Sequence, residues 1–336
     1  MTRGRATARP LRGRRSHPFD GEAVPQQSLR TAYLGTTEFA ATVLRRLAES
    51  PQRPALVVTP PDSRRGRGRK LASPPAAEAA RELDLELHQT ADVNSEESRA
   101  AIRAAKPEAI VVCAFGQLIK EPLLSEFLML NVHPSLIPRW RGAAPIERVL
   151  MAGEGLTGVT IMRVTAGLDS GPVAVAEEVS VDAKDDYASL SARLASTAGE
   201  LVVRALDLLE RGNLEFTEQN DAHATYADKV APEERRLDPS RPVDELERRV
   251  RALTPHVGAY LELEDGSRLG VRSAEPGNVS GWDGSSEPGT ILAENGELQL
   301  VGPDGVLRLD VVQPPGKNPM SAADFLRGRS PPAKAI

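Results

Sequence analysis

Short apolar runs alternate with helical segments along the first third of the chain. Residues 109–112 are apolar at every position, as a parallel strand that is buried on both faces requires. Residues 38–49 instead repeat their apolar side chains at helical spacing. This alternation predicts a doubly wound α/β domain with a mostly parallel sheet. The predicted strands lie at 31–34, 55–59, 85–87, 109–112, 158–163 and 173–179, and the predicted helices at 38–49, 75–83, 95–105 and 187–210.

The last hundred or so residues follow a different pattern. After one predicted helix at 242–253, short apolar runs recur at ~10-residue spacing, with Asp-Gly or Asn-Gly turn signals between several of them. Short strands at this spacing predict a small β-barrel. The preceding stretch, 213–235, is polar and lacks a clear period, so we interpret it as a linker. We therefore divide the chain into a tail at 1–28, an α/β domain at 29–212, a linker at 213–235 and a barrel domain at 236–330.

The tail is rich in arginine and has almost no apolar residues, which predicts disorder. It lacks the apolar centre of a secretory signal peptide, but an organellar transit peptide stays an alternative. No apolar run approaches the ~18 to 20 residues of a membrane span. The single cysteine, Cys113, excludes an intrachain disulfide framework and follows an apolar run. We interpret it as a core residue rather than a nucleophile, in a protein of the reducing cytoplasm.

The densest cluster of chemically active residue types lies at 131–145. Asn131 and His133 are two positions apart, so in an extended segment both side chains face the same side and can meet one substrate atom. Asp169 lies in a Gly-Leu-Asp-Ser-Gly turn, where the backbone can approach a ligand closely. On spacing alone, His133 is either a catalytic residue or a hydrogen-bonded structural histidine.

Several common site patterns are missing. The G-x-G-x-x-G pattern does not follow the first predicted strand, so we do not expect a dinucleotide site. No two of the five histidines stand at ligand spacing, so we expect no zinc site. The basic run at 64–70 follows the carboxyl end of a predicted strand, where ligands bind in open α/β sheets. It is either a solvated charge run or a contact for phosphates.

Four segments together resemble the methionyl-tRNA formyltransferase family. They are 61–74, 131–146, 158–171 and 313–322, within a resemblance that runs from about residue 31 to residue 327. The resemblance implies an N-terminal formyltransferase domain with a Rossmann-like sheet, followed by a C-terminal domain similar to an OB barrel that helps to bind tRNA. Ile137 stands where the family usually has Leu, a swap that conserves volume. Pro134 stands where some members have Gly, which weakens discrimination from related formyltransferases.

The family reaction transfers the formyl group of 10-formyltetrahydrofolate, a cosubstrate, to the α-amino group of methionine on initiator methionyl-tRNA for translation initiation. No metal takes part, and we expect a cytoplasmic monomer that binds no membrane. The resemblance implies three catalytic residues, Asn131, His133 and Asp169. The residues it implies for folate binding are Ser135, Leu136, Ile137 and Pro138. The residues that we assign to tRNA binding on the same basis are Arg64, Arg65, Arg67, Arg69 and Lys70.

Formyl transfer between two nitrogens needs a neutral amine but no covalent enzyme nucleophile, which agrees with the lack of a candidate serine or cysteine. We hypothesise that Asn131 and His133 donate hydrogen bonds to the oxyanion of the tetrahedral intermediate, while Asp169 orients His133. Two alternatives stay open. One is a formyltransferase for a nucleotide sugar or a purine precursor, and the other is a non-catalytic RNA-binding protein.

Overall fold

A computed structural model of the protein describes residues 1–2, 28–65, 70–277 and 286–336, with only the backbone of Arg65. Most of the predicted basic tail therefore lies outside the described residues. The same is true of Arg67 and Arg69, two of the five residues assigned to tRNA binding.

The first part of the chain forms a seven-stranded sheet with helices on both faces. Its strands and those of one small hairpin are β1 (Thr31–Gly35), β2 (Pro54–Thr59), β3 (Ser63–Arg65), β4 (Lys70–Ala72), β5 (Leu87–Gln89), β6 (Ala109–Cys113), β7 (Met129–His133), β8 (Leu156–Arg163) and β9 (Val173–Ser180). Its helices are α1 (Glu38–Ala48), α2 (Pro75–Glu82), α3 (Glu96–Ala105), α4 (Leu123–Glu126), α5 (Pro145–Ala152) and α6 (Tyr187–Glu210).

The strands lie in the order β5-β2-β1-β6-β7-β8-β9. The first five in this order are parallel, and β8 and β9 add two antiparallel strands at one edge. β1 and β6 are buried at every position because helices cover both faces. Leu44 of α1 and Leu201 of α6 pack in the core on one face, whereas Ile102 of α3 and Leu123 of α4 pack in the core on the other. The predicted α/β class and mostly parallel sheet are confirmed.

Local signals account for most element boundaries. Ser95 precedes α3 and its hydroxyl accepts a hydrogen bond from the Ser98 amide at 3.2 Å, so this serine is the N-cap of the helix. β5 begins two residues later than predicted, because its register against β2 pairs Val57 with Leu87. The sequence does not predict β3 and β4, which lie at the two ends of the basic run and form an antiparallel hairpin outside the main sheet.

The last part of the chain forms an antiparallel sheet. Its strands are β10 (Ala259–Glu262), β11 (Arg268–Pro276), β12 (Ile291–Glu294), β13 (Glu297–Val301), β14 (Val306–Gln313) and β15 (Met320–Ser321), with helices α7 (Val243–Leu253) and α8 (Ala322–Gly328). The strand order is β10-β11-β14-β13-β12, and β15 pairs with β14. The OB-like barrel stays a prediction. The last two residues bond at both outer strands: the Ala335 amide donates to Gly289 O, just before β12, and the Ile336 amide donates to Glu262 O, at the end of β10.

The predicted boundaries at 28, 212 and 235 also stay predictions. Cys113 is confirmed as a buried core residue, and burial raises the pKa of its thiol to about 12. Within the described ranges, none of the helices combines the length and the apolar character needed to cross a membrane.

Candidate active site

The end of β7 brings Asn131 and His133 to the carboxylate of Asp169. The Asn131 side-chain amide donates a hydrogen bond to Asp169 Oδ1 at 3.1 Å, and His133 Nδ1 lies 3.6 Å from Asp169 Oδ2. His133 is only 4% exposed, so it meets this carboxylate in a nearly dry environment. The structure thus places together three polar side chains that are up to 38 positions apart in sequence.

Asp169 is held in one orientation by donors to both carboxylate oxygens. Besides the bond from Asn131, the Gly142 backbone amide donates to Asp169 Oδ2 at 2.9 Å. Asp169 lies between β8 and β9 with a φ of +44°, in the left-handed region that side chains other than glycine seldom adopt. The surrounding contacts therefore stabilise a backbone conformation that is itself unfavourable.

The second ring nitrogen of His133 already has a partner. Nε2 lies 2.8 Å from the backbone oxygen of Trp140, and because a carbonyl oxygen only accepts, Nε2 carries a proton in this contact. The chain turns sharply there, since Trp140 has a φ of +61° and its amide donates to Thr225 Oγ1 at 2.9 Å. Nδ1 is consequently the nitrogen that faces Asp169.

The residues assigned to folate binding form a loop after β7. Ser135 is fully buried, and its hydroxyl donates to Arg139 O at 2.7 Å, so this side chain holds the loop together. Leu136, Ile137 and Pro138 are half-buried and present apolar surface. A Cβ at Gly158 would come within 2.5 Å of Leu136, so a glycine on β8 makes room for this loop.

The basic run lies at the same edge of the sheet. The β3–β4 hairpin directly follows β2, and Arg65 and Lys70 are paired across it. Lys70 and Arg64 are exposed. Because β2 and β7 run parallel, the hairpin and Asn131 both lie at the carboxyl ends of strands. This shared edge agrees with the expected position of a ligand in an open α/β sheet.

A segment that the sequence presents as a linker packs against the site. The Arg141 amide donates to Thr225 O at 2.9 Å, and the Ala227 amide donates to Arg141 O at 2.7 Å. Gly142 is required at this crossing, because a Cβ there would lie 2.8 Å from Ala227 O and its φ is +123°. Residues 219–227, which we name the strap, therefore form one wall of the site.

The sequence assigns no role to the run Arg139-Trp140-Arg141, but the structure shows what the side chain of Arg141 contacts. It is only 4% exposed and donates to Gln219 Oε1 from Nε at 3.0 Å and from the terminal nitrogen at 2.6 Å. The same terminal nitrogen contacts Asp221 Oδ1 at 2.7 Å. Sequence reasoning missed Gln219 and Asp221, because the strap has neither a period nor a recognisable motif.

Asn131 and His133 supply hydrogen-bond donors, and Asp169 supplies a carboxylate. Such donors can stabilise an oxyanion, and such a carboxylate can accept and pass on a proton. Over the described part of the chain, no three histidine, cysteine or acidic side chains lie together in a way that would hold a metal ion.

Sequence comparisons match formyltransferases along nearly the whole chain. A family model described as formyl transferase matches residues 29–206, and one described as formyl transferase, C-terminal domain, matches residues 229–330. A methionyl-tRNA formyltransferase from Ectopseudomonas mendocina is 41% identical over 306 residues, covering 90% of this chain and 95% of that protein. One from Methylococcus capsulatus is 39% identical over 310 residues, covering 92% of this chain and 99% of that protein.

Solved structures share the fold at much lower sequence identity. HypX from Aquifex aeolicus in complex with tetrahydrofolic acid is 20% identical with a TM-score of 0.61, covering 89% of this chain and 47% of that one. This chain therefore spans about half the length of HypX. An N-formyltransferase from Helicobacter canadensis, solved with folinic acid and dTDP-3-aminofucose, is 12% identical with a TM-score of 0.59, covering 84% and 98%.

Proposed function

The chain belongs to the methionyl-tRNA formyltransferase family, and we propose that Asn131, His133 and Asp169 are the residues with which it catalyses formyl transfer. The formyl group of 10-formyltetrahydrofolate passes to the α-amino group of methionine on initiator methionyl-tRNA, for translation initiation. A carbon–nitrogen bond to the methionine amine forms, the bond to N10 of the folate breaks, and the proton released by the amine is returned to N10. Tetrahydrofolate and formylmethionyl-tRNA are the products.

The Asn131 amide and His133 stabilise the tetrahedral intermediate. Asn131 uses one N–H on Asp169 Oδ1 and keeps a second N–H for the oxyanion. His133 donates from Nε2 to the Trp140 carbonyl, so in this proposal the nitrogen left to contact the oxyanion is Nδ1, which lies beside Asp169 Oδ2 and is a donor only in the doubly protonated ring. Loss of one such donor typically slows acyl transfer by about 10²- to 10³-fold.

Asp169 has a double role in this proposal. Its carboxylate orients the Asn131 amide through Oδ1 and lies 3.6 Å from His133 Nδ1 through Oδ2. It also provides the acceptor through which a proton passes from the attacking amine toward N10, by way of a water. The methionine amine titrates near ~7.7 to 8.0, so a sizeable neutral fraction attacks without a strong base.

One observation supports this function above all others, namely that the three side chains converge on one another at the carboxyl end of β7. The test is transfer of labelled formyl from 10-formyltetrahydrofolate to charged initiator tRNA, with a nucleotide-linked amino sugar as the competing acceptor. We expect a formylated methionyl-tRNA and no formylated sugar. Transfer to the sugar alone, or binding of tRNA without any transfer, would contradict the proposal.

The basic hairpin positions the tRNA. Five residues of the run at 64–70 are assigned to phosphate contacts, of which Arg64 and Lys70 are exposed on strands that follow the sheet edge next to the site. Cationic side chains that contact phosphates give binding with a strong salt dependence. Replacing Arg67 and Arg69 by glutamine should weaken use of the tRNA and leave folate binding nearly unchanged. Equal tRNA affinity across salt concentrations would contradict this role.

We further propose that the folate lies against the loop of Leu136, Ile137 and Pro138, with Ser135 holding the loop from inside. A monomer suffices for the reaction, because all three site residues come from one chain. We place the enzyme in the cytoplasm, and we keep organellar import by the tail as the alternative. Sedimentation of the purified protein tests the oligomeric state.

A further inference from the structure

The turn that carries Asp169 has few anchors of its own. The four residues before it, 165–168, are all exposed, and Asp169 has a φ of +44°. A residue other than glycine in this region costs of the order of 1–3 kcal/mol, so it persists only where neighbouring groups hold it. The position of the carboxylate therefore depends on contacts from outside the turn.

Gln219 of the strap supplies such contacts. Its side-chain nitrogen lies 3.0 Å from the backbone oxygen of Asp169 and 2.5 Å from the backbone oxygen of Gly171. One amide group thus bridges two carbonyls of the turn. Because the amide nitrogen has two N–H groups, it can donate to both carbonyls at once.

Arg141 determines which way the Gln219 amide faces. A guanidinium only donates, and its two contacts at 3.0 and 2.6 Å are both to Gln219 Oε1. With the oxygen held there, the amide nitrogen must face the two carbonyls of the Asp169 turn. The buried arginine therefore acts on the turn through the glutamine.

The strap also reaches the other side of the carboxylate. The Ala227 amide donates to the backbone oxygen of Arg141. Gly142, which follows Arg141 in the chain, donates its own amide to Asp169 Oδ2. Asp169 is thus fixed at its main chain by one end of the strap and at its side chain through the other. Residues 207–228 lie between the two matched family models, so the strap belongs to neither.

We propose that Gln219 is a positioning residue, which holds the Asp169 turn in the geometry that formyl transfer requires and is itself oriented by Arg141. It touches neither substrate, and its effect on the reaction passes through Asp169. This inference rests on the proposed catalytic role of Asp169.

The sharpest variant is Gln219→Glu, which has the same length and keeps an oxygen for Arg141. It replaces the amide donor by a second oxygen that faces two carbonyl oxygens. We expect kcat to fall about 10- to 100-fold, because a misplacement of about 1 Å can cost 10²-fold. The KM values for folate and tRNA should stay within about twofold, since the lost interaction acts on the reacting geometry rather than on binding.

The matched control is Gln299→Glu, the same substitution on β13 of the second sheet, which should leave kcat unchanged. A merely structural role for Gln219 would lower the fraction of active, folded enzyme, so thermal melting and active-site titration accompany the kinetics. Gln219→Met keeps the length and removes donor and acceptor together, and it serves if the glutamate variant folds poorly. Either folded variant with the wild-type kcat would overturn the proposal.

A double-mutant cycle with Asp169→Asn separates this inference from the proposed function. If Gln219 acts through Asp169, Gln219→Glu should cost much less in the Asp169→Asn background than in the wild type. An equal cost in both backgrounds would overturn the inference and leave the role of Asp169 intact. A wild-type rate for Asp169→Asn alone would instead contradict the proposed function on which the inference rests.

Discussion

The backbone amide of Gly142 donates a 2.9 Å hydrogen bond to the carboxylate of Asp169, 27 positions further along the chain. This bond depends on the absence of a side chain at residue 142. A Cβ there would lie 2.8 Å from Ala227 O, and the φ of +123° is one that L side chains rarely adopt. A glycine thus links the strap, the loop after β7 and the site.

Gly142→Ala should lower both stability and activity. The strained backbone and the contact with Ala227 should cost about 1–3 kcal/mol in the free energy of unfolding. The displaced amide should slow formyl transfer by about tenfold or more. Gly155→Ala is the matched control, because a Cβ at Gly155 meets no atom within 4 Å. Urea unfolding measures the loss of stability, and single-turnover transfer measures the loss of rate. Equal stabilities and equal rates for the two variants would contradict the role of Gly142 at the site.

The carboxylate of Asp185 should stabilise the folded protein, and this contribution should be lost in acid. Burial by itself raises the pKa of this carboxyl, but hydrogen bonds from Arg193 and Ser189 outweigh that effect and lower the pKa to about 2, from an ordinary value of 3.8. The Arg193 contact to Asp185 Oδ1 is 2.8 Å. A lowered pKa means that the stabilisation is complete above about pH 4 and disappears as the pH falls toward 2.

Asp185→Asn measures this stabilisation. At pH 7 the variant should be less stable by about 2 kcal/mol, and the difference from the wild type should shrink steadily as the pH falls from about 4 to about 2. The matched control is Asp84→Asn, because Asp84 lies in an exposed turn after α2. Urea unfolding at several pH values tests the prediction, and a difference that does not change with pH would contradict it.

Lys70 should contribute to tRNA binding through charge. Its side chain is exposed on β4 of the basic hairpin, so Lys70→Gln should leave the fold unchanged. The slope of the logarithm of the tRNA binding constant against the logarithm of salt concentration should become shallower by about one. Lys106→Gln removes the same charge between α3 and β6. This residue lies at the amino ends of the parallel strands, away from the hairpin, so the variant should leave the slope unchanged. Identical slopes for both variants would exclude Lys70 from the tRNA contact.

The elements of the fold were predictable because their signals are local. The apolar runs at β1 and β6 and the helical period of α6 fall where the sequence places them. The proximity of Asn131 and His133 was also predictable, since alternation along a strand puts both side chains on one side. Their partner Asp169 was identified only through its glycine-rich turn and the family resemblance.

The strap was not predictable by the same means. Gln219 meets Arg141 from 78 positions away and meets Asp169 from 50 positions away. Such a contact is decided by tertiary packing and leaves no period in the sequence. A polar stretch without a clear period is usually a solvated connection, so its interpretation as a linker followed from composition. Buried arginine is rare unless it is paired, but the sequence alone does not show that Arg141 is buried.

The central claim is that Asn131, His133 and Asp169 act together in formyl transfer. Single-turnover transfer to initiator methionyl-tRNA, with the enzyme in saturating excess over the tRNA and with saturating 10-formyltetrahydrofolate, isolates the chemical step from binding and product release. We predict that His133→Ala and Asp169→Asn each lower this rate by about 10²-fold or more while both substrates still bind. A rate near that of the wild type in either variant would contradict the account.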